Sequence, residues 1–291
     1  MGVVNRMKVA ARQKLQRAVA EVVSEVVPGI VAEAVDTEHN RSVQHQRDLH
    51  DETMAALDKL PRQFDEMSAR LAAVNRYLDE LEQRVRRDIS HSQDILAARQ
   101  SAAFVLEHMP KAPVFWHPHD TLRFALGEIK GPGLALEFGV ATGTTLAIIA
   151  DAVAADRAVV GFDSFTGLPE AWRTGFPAGE FAQDPPADVP GATIVPGLFD
   201  DTLPDFLAEN DEPIAFVHLD ADLYSSTKTV LDLAGDRLAP DVILLFDEFF
   251  NYPGWQAHEF RAWTEFVAAT GRAFEYLAYT GNSEQVVVRL H

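Results

Sequence analysis

The sequence predicts an α/β domain built on a doubly wound, mainly parallel sheet of seven strands, preceded by a helical, coiled-coil-forming extension. Three observations predict it. From Leu134 onward, short runs nearly continuous in apolar residues alternate with helical stretches, as strands buried on both faces of a parallel sheet require. The chain closes on two runs joined by Gly281-Asn282-Ser283, a hairpin signal that adds an antiparallel edge. Before residue 110 the apolar residues instead recur every three or four positions, which is helical spacing.

In order, the strands are LALEFGV, VVGFDSF, ATIVPG, IAFVHLD, VILLFDEFF, FEYLAYTG and QVVVRL. Helices are expected over Thr144–Ala155, Ser225–Leu238 and Trp255–Thr270. The chain therefore divides into a helical extension, 1–110, and a sheet domain, 111–291. The proline-rich MPKAPVFWHPHD joins them, and its His117 and His119 are read as surface loop residues because no matching third metal ligand lies near.

Within the extension, residues 1–35 carry Arg6, Lys8, Arg12, Lys14 and Arg17 beside a valine-rich face. This is an amphipathic helix, bent or ended near Pro28-Gly29, that suits a partner helix or the main domain, with membrane-surface contact as the alternative. Leu57, Leu60, Phe64, Met67, Leu71, Val74, Leu78, Leu81 and Val85 alternate spacings of three and four without a miss, a coiled-coil seam. Self-association into a homo-oligomer and packing within one chain both use such a seam. Pro61 lacks an amide donor and is expected to open this helix, leaving Leu57–Leu60 in a separate turn.

Composition narrows the function. The 291 residues carry a formal charge of −19, nearly all of it in residues 111–291, where 27 acids face 10 bases. So acidic a domain has no footprint for nucleic acid and better suits a cation or a neutral or cationic ligand. Cysteine is absent, which excludes disulfides, thiolate metal sites and cysteine nucleophiles. No apolar run approaches the roughly 18 residues of a membrane span, and no secretory signal is recognisable, so a cytoplasmic protein is expected.

In doubly wound sheets, ligands sit beyond the carboxyl ends of the strands. EFGVATGTT places Gly139 and Gly143 where the chain must turn tightly, with Ala141 where a dinucleotide fingerprint has its second glycine. That disfavours the rival reading, an NAD-linked oxidoreductase. Asp163 lies 26 positions past Glu137, where an acid bonds ribose hydroxyls or merely caps a turn. Asp220 and Asp222 end one core strand, and Asp247 and Glu248 end another. Hard carboxylate oxygens contributed by adjacent strand ends suit a divalent cation. Asp222 is the candidate general base, with helix capping as its bland alternative. His218 is expected to be a hydrogen-bonded core residue, and His258 is a weaker base candidate.

The blocks EFGVATGTT, GFDSFTGLPEAW, GLFDDTLP, HLDADLYSSTKTVL and FDEFFNYPGW together resemble class I S-adenosylmethionine-dependent methyltransferases of the macrocin O-methyltransferase type, over roughly Leu134 to Leu290. The resemblance implies the Rossmann-like methyltransferase fold, S-adenosylmethionine as cofactor, a divalent cation, usually Mg2+, and a sugar hydroxyl of a glycosylated natural product, glycolipid or polysaccharide as acceptor. It implies that Glu137, Gly139, Ala141 and Gly143 line the methionine and ribose part of the cofactor and that Asp163 and Ser164 meet the ribose. Leu198 and Phe199 would flank the adenine, with Asp200 at its amino group. Asp220, Asp247 and Glu248 would hold the metal. Glu248 departs from the more usual aspartate, keeping the charge on a longer arm. A catechol-type enzyme would carry a lysine where Leu223 stands, so a phenolic acceptor is disfavoured. The Gly/Pro-rich residues 166–191 read as a lid or binding segment, with Trp172, Phe176 and Phe181 able to stack on a sugar or close over the cofactor, and ordinary surface packing as the comparable alternative; Tyr252 and Trp255 are further candidates for acceptor contact. The remaining alternative is a non-catalytic assembly protein whose sheet is a degenerate methyltransferase; the intact carboxylate set speaks against it.

Overall fold

The computed structural model describes the backbone of residues 3–291 and side chains from Met7 onward, so Arg6 lies outside the described side chains. The chain divides into two compact units between Gln83 and Arg84.

The first unit is helix α1, Val3–Arg87, which runs through Pro28 and Pro61 and past the division. The stop expected as one outcome at Pro28 and the helix start expected at Pro61 are both absent, since one helix continues through the two prolines. An interior proline removes one backbone hydrogen bond and crowds one turn. The Ala-, Leu-, Glu- and Arg-rich sequence on either side of Pro61 favours helix strongly enough to continue. The seam residues are exposed along this helix, from 41% at Leu81 to 64% at Phe64.

Asp88 breaks the helix and caps the next one, accepting a hydrogen bond from the His91 amide at 3.1 Å. Helix α2, Ile89–His108, buries Ala97 and Ser101, and Ala97, Phe104 and Val105 pack into the core of the second unit. The sheet unit thus begins earlier than the expected 110/111 division.

That unit carries an eight-stranded sheet in the order β1-β7-β8-β6-β5-β2-β3-β4. Seven strands are those expected: β2 Leu134–Phe138, β3 Val159–Asp163, β4 Thr193–Pro196, β5 Ile214–Leu219, β6 Leu238–Phe246, β7 Phe274–Thr280 and β8 Val286–Leu290. The eighth, β1 (Val114–Phe115), lies in the supposed linker and pairs in parallel with β7. Only β8 runs antiparallel to its neighbours. The flanking helices are α3 Pro118–Gly127, α4 Thr144–Val153, α5 Phe199–Glu209, α6 Tyr224–Ala234 and α7 Glu259–Thr270. Exposed His117 stands at the N-cap of α3, with exposed His119 in its first turn.

Alternation along the strands fills two apolar layers. Leu136, Phe138, Val217, Leu219, Leu244 and Phe246 pack on one face of the sheet. Ala135, Phe216, Ile243, Leu245 and Val287 pack on the other. The chain leaves β2 toward β3 on one side, while β5 pairs on the other, so the strand order reverses beside β2. The ladder continues one bond past the strand ends there. Gly139 N donates to Phe162 O, Asp220 N to Phe138 O and Asp247 N to Leu219 O, all within 2.9 Å. These bonds fix the backbone of both aspartates at the reversal.

Candidate active site

Beyond these strand ends lies a cavity of about 660 Å³. Of the residues expected at a cofactor, Gly139, Ala141, Asp163, Ser164, Leu198, Phe199 and Asp200 line it; Glu137 and Gly143 do not. Of the strand-end acids, Asp220, Asp222 and Glu248 line it, and Asp247 does not.

The glycine loop is shaped by close approach. Gly139 has φ +98°, and a Cβ there would overlap the Asp220 carbonyl oxygen. Ala141 also takes a positive φ, +45°, held by Asp163. Oδ2 of Asp163 accepts the amides of Val140 (2.9 Å) and Ala141 (2.8 Å), and Oδ1 accepts that of Phe165 (2.7 Å). The acid therefore ties two loops together. It caps the turn, as one reading of the sequence expected, and it also lines the cavity. Gly143 opens α4 at φ +78°, where a Cβ would press Val189 at 2.9 Å; its role is packing of the turn.

Glu137 is fully buried, and its Oε1 bonds Nδ1 of His218 at 2.8 Å. Nε2 of that ring stands 3.5 Å from Asp247 Oδ1, while Gln285 donates to Asp247 Oδ2 at 3.1 Å. His218 is thus a core residue, as expected, but one placed between two acids. Burial works against its protonation, yet Asp247 and Glu137 outweigh it and raise its pKa well above the usual value. Asp247 behaves oppositely. Burial would raise it, but the hydrogen bond and charge of His218 hold it below the usual carboxylate range. Asp220 and Glu248 are both raised, first by burial and then by the charge of Asp247.

Such crowding of carboxylates is costly without a positive partner. One atom each from His218, Asp220 and Asp247 lies within 4.8 Å of the other two. Glu248 Oε2 is buried without a hydrogen-bond partner. The converging donors, an imidazole nitrogen and two carboxylate oxygens from two strand ends, fit a divalent cation, and Glu248, expected as a ligand, stands outside that group.

Asp222 reaches the cavity by a route that alternation does not describe. Strand β5 stops at Leu219, and Asp222 adopts φ +58°, a left-handed conformation rare outside glycine. Burial, opposed by the Arg173 charge, lifts its pKa to about 7.

The lid residues Trp172, Phe176 and Phe181 line the cavity. They are joined there by Arg173, which sequence reasoning missed. Its guanidinium contacts Glu284 at 3.1 Å and lies 4.0 Å from the Trp172 ring centre and 4.5 Å from that of Tyr252. No local pattern reveals a pair 111 positions apart. Glu259 was also missed; its two oxygens accept from the Thr227 hydroxyl (3.2 Å) and the Glu248 amide (3.1 Å). Trp255 is not an acceptor contact, since it is buried against Phe104 and Phe260. Tyr252 is buried too, its hydroxyl donating to the Glu248 carbonyl. His258 packs at a tilt against Tyr252, outside the cavity lining, and burial lowers its pKa. Lys228 pairs with Asp232 on α6.

Residues 136–249 match the family model described as a methyltransferase domain. No curated protein matches the chain. Among solved structures, CalS11, a calicheamicin methyltransferase, is 24% identical at a TM-score of 0.48, over 72% of this chain and 89% of that one. The O-methyltransferase NovP is 23% identical at 0.45, over 59% and 78%. An O-methyltransferase from Bacillus cereus, in complex with SAH, is 17% identical at 0.41, over 75% and 96%. The matched stretch contains the glycine loop, Asp163 and all four strand-end carboxylates, and on that ground the protein carries a methyltransferase domain.

Proposed function

We propose that the protein is a metal-dependent O-methyltransferase that transfers a methyl group from S-adenosylmethionine to a sugar hydroxyl of a glycosylated natural product, glycolipid or polysaccharide. One observation carries this reading: Asp220, Asp222 and Glu248 line the same cavity as the glycine loop and Asp163. Proton removal and cofactor binding thereby face each other across one space.

In this reading Gly139 and Ala141 give backbone access to the cofactor. Asp163 and Ser164 hold its ribose, Leu198 and Phe199 flank its adenine, and Asp200 meets the amino group. Asp220, Asp247 and Glu248 hold the cation, Mg2+ being the hard ion that carboxylates favour. When bound, that ion supplies Lewis acidity that makes a chelating sugar hydroxyl easier to deprotonate. Asp222 accepts the hydroxyl proton, and Trp172, Phe176 and Phe181 exclude water and orient the ring.

Titration calorimetry tests this directly: S-adenosylmethionine binds the wild type, and Asp247→Ala abolishes Mg2+-stimulated methyl transfer while leaving donor affinity largely intact. No donor binding at any metal concentration refutes the proposal.

A further inference from the structure

We propose that residues 57–85 of α1 form a parallel, in-register coiled coil with a second copy of this chain. The inference concerns the long helix alone and stands apart from the chemistry of the sheet unit.

Nine apolar residues, Leu57 to Val85, fall on one seam of a continuous helix. Every one is exposed in the single chain. The opposite face carries Asp58, Arg62, Asp65, Glu66, Arg76, Asp79 and Glu80. A helix so divided is stabilised by covering its stripe, and a 3.5-residue repeat selects another helix of the same repeat as the cover.

The residues beside the seam indicate which helix and which direction. Those following Leu60, Met67, Val74 and Leu81 are Pro61, Ser68, Asn75 and Glu82; none is basic. Those preceding Phe64, Leu71, Leu78 and Val85 are Gln63, Arg70, Tyr77 and Arg84; none is acidic. In a parallel pair, each preceding position meets the second copy's following position five residues on. The meetings are Gln63 with Ser68, Arg70 with Asn75 and Tyr77 with Glu82, and no like charges touch. An antiparallel pair instead sets preceding positions against one another, gathering Arg70 and Arg84 of both copies on one flank. The flanks thus meet without like-charge contact in the parallel sense and with it in the antiparallel one.

Because the chain has no cysteine, a single introduced thiol reports direction cleanly. Full-length wild type is examined by sedimentation equilibrium, alongside Leu71→Glu/Leu78→Glu and the separate variants Leu60→Cys and Leu81→Cys. The wild type is expected to show at least twice the 32.1 kDa chain mass. The double-Glu variant is expected to fall to one chain mass while its thermal melt of the sheet unit is retained. Each cysteine variant alone is expected to oxidise to a covalent dimer. A monomeric wild type overturns the proposal, as does a wild type that is monomeric but co-floats with anionic phospholipid vesicles. An oligomer unaffected by the Glu pair overturns it as well. Covalent dimers that form only when the two cysteine variants are mixed overturn the parallel arrangement.

Discussion

Glu259 shows what a single position adds that no motif announces. It is fully buried on α7, bonded to the Glu248 amide and the Thr227 hydroxyl, and burial pushes its pKa from 4.5 up to about 8. The native state therefore keeps a proton that the unfolded chain releases near 4.5. Stability from this group is complete below that pH and is lost as pH rises through about 8. In metal-free buffer the melting temperature is expected to decline between pH 5 and 8, and Glu259→Gln, which preserves an acceptor without a titrating proton, is expected to flatten the decline. Thermal melts of both proteins across that range check it; parallel curves exclude Glu259 as the source. Legibility at this scale was uneven for a physical reason. Asp163, Asp220 and Asp222 end apolar runs, so their polarity stands out in the sequence. Glu259 follows a loop and starts an ordinary amphipathic helix, where an acid near the N-terminus is unremarkable. Arg173 was invisible because its partners, Glu284 and Tyr252, come together only through the sheet.

At the scale of elements, the central strands β2, β5 and β8 were readable because every residue in them is buried, which leaves apolar runs with no other home. Strand β1 was not, since two residues cannot display a period. Helix α5 was not among the expected helices; it continues across the interior Pro204 of FDDTLPDFLAE. The lid was legible as a loop, but its fastening was not. Arg173 ties it down through Glu284 and through the faces of Trp172 and Tyr252, contacts of a kind worth up to about 2 kcal/mol when partly desolvated. Arg173→Ala is accordingly expected to speed amide hydrogen exchange of residues 166–183 by roughly tenfold, the ratio for about 1.4 kcal/mol. Exchange mass spectrometry reads this, and unchanged rates there would show that the loop is held by its aromatic packing alone.

For the molecule as a whole, the sheet unit has its own two-layer core, reinforced by α2. Removing residues 1–83 is therefore expected to leave a cooperative thermal transition and S-adenosylmethionine binding within about twofold of the full chain, while abolishing self-association. Calorimetry and sedimentation of the truncated protein decide it; loss of folding would mean that α1 contributes to the core. No described helix is long and apolar enough to cross a membrane. The sheet ends on one side in β1, two residues long, and on the other in β4, four residues finished by Pro196. Margins this short give a wandering β-segment almost nothing to zip onto. Crowding or partial melting should consequently not seed fibrils from the sheet, so that any growth of fibres on heating would have to start elsewhere than at its two margins.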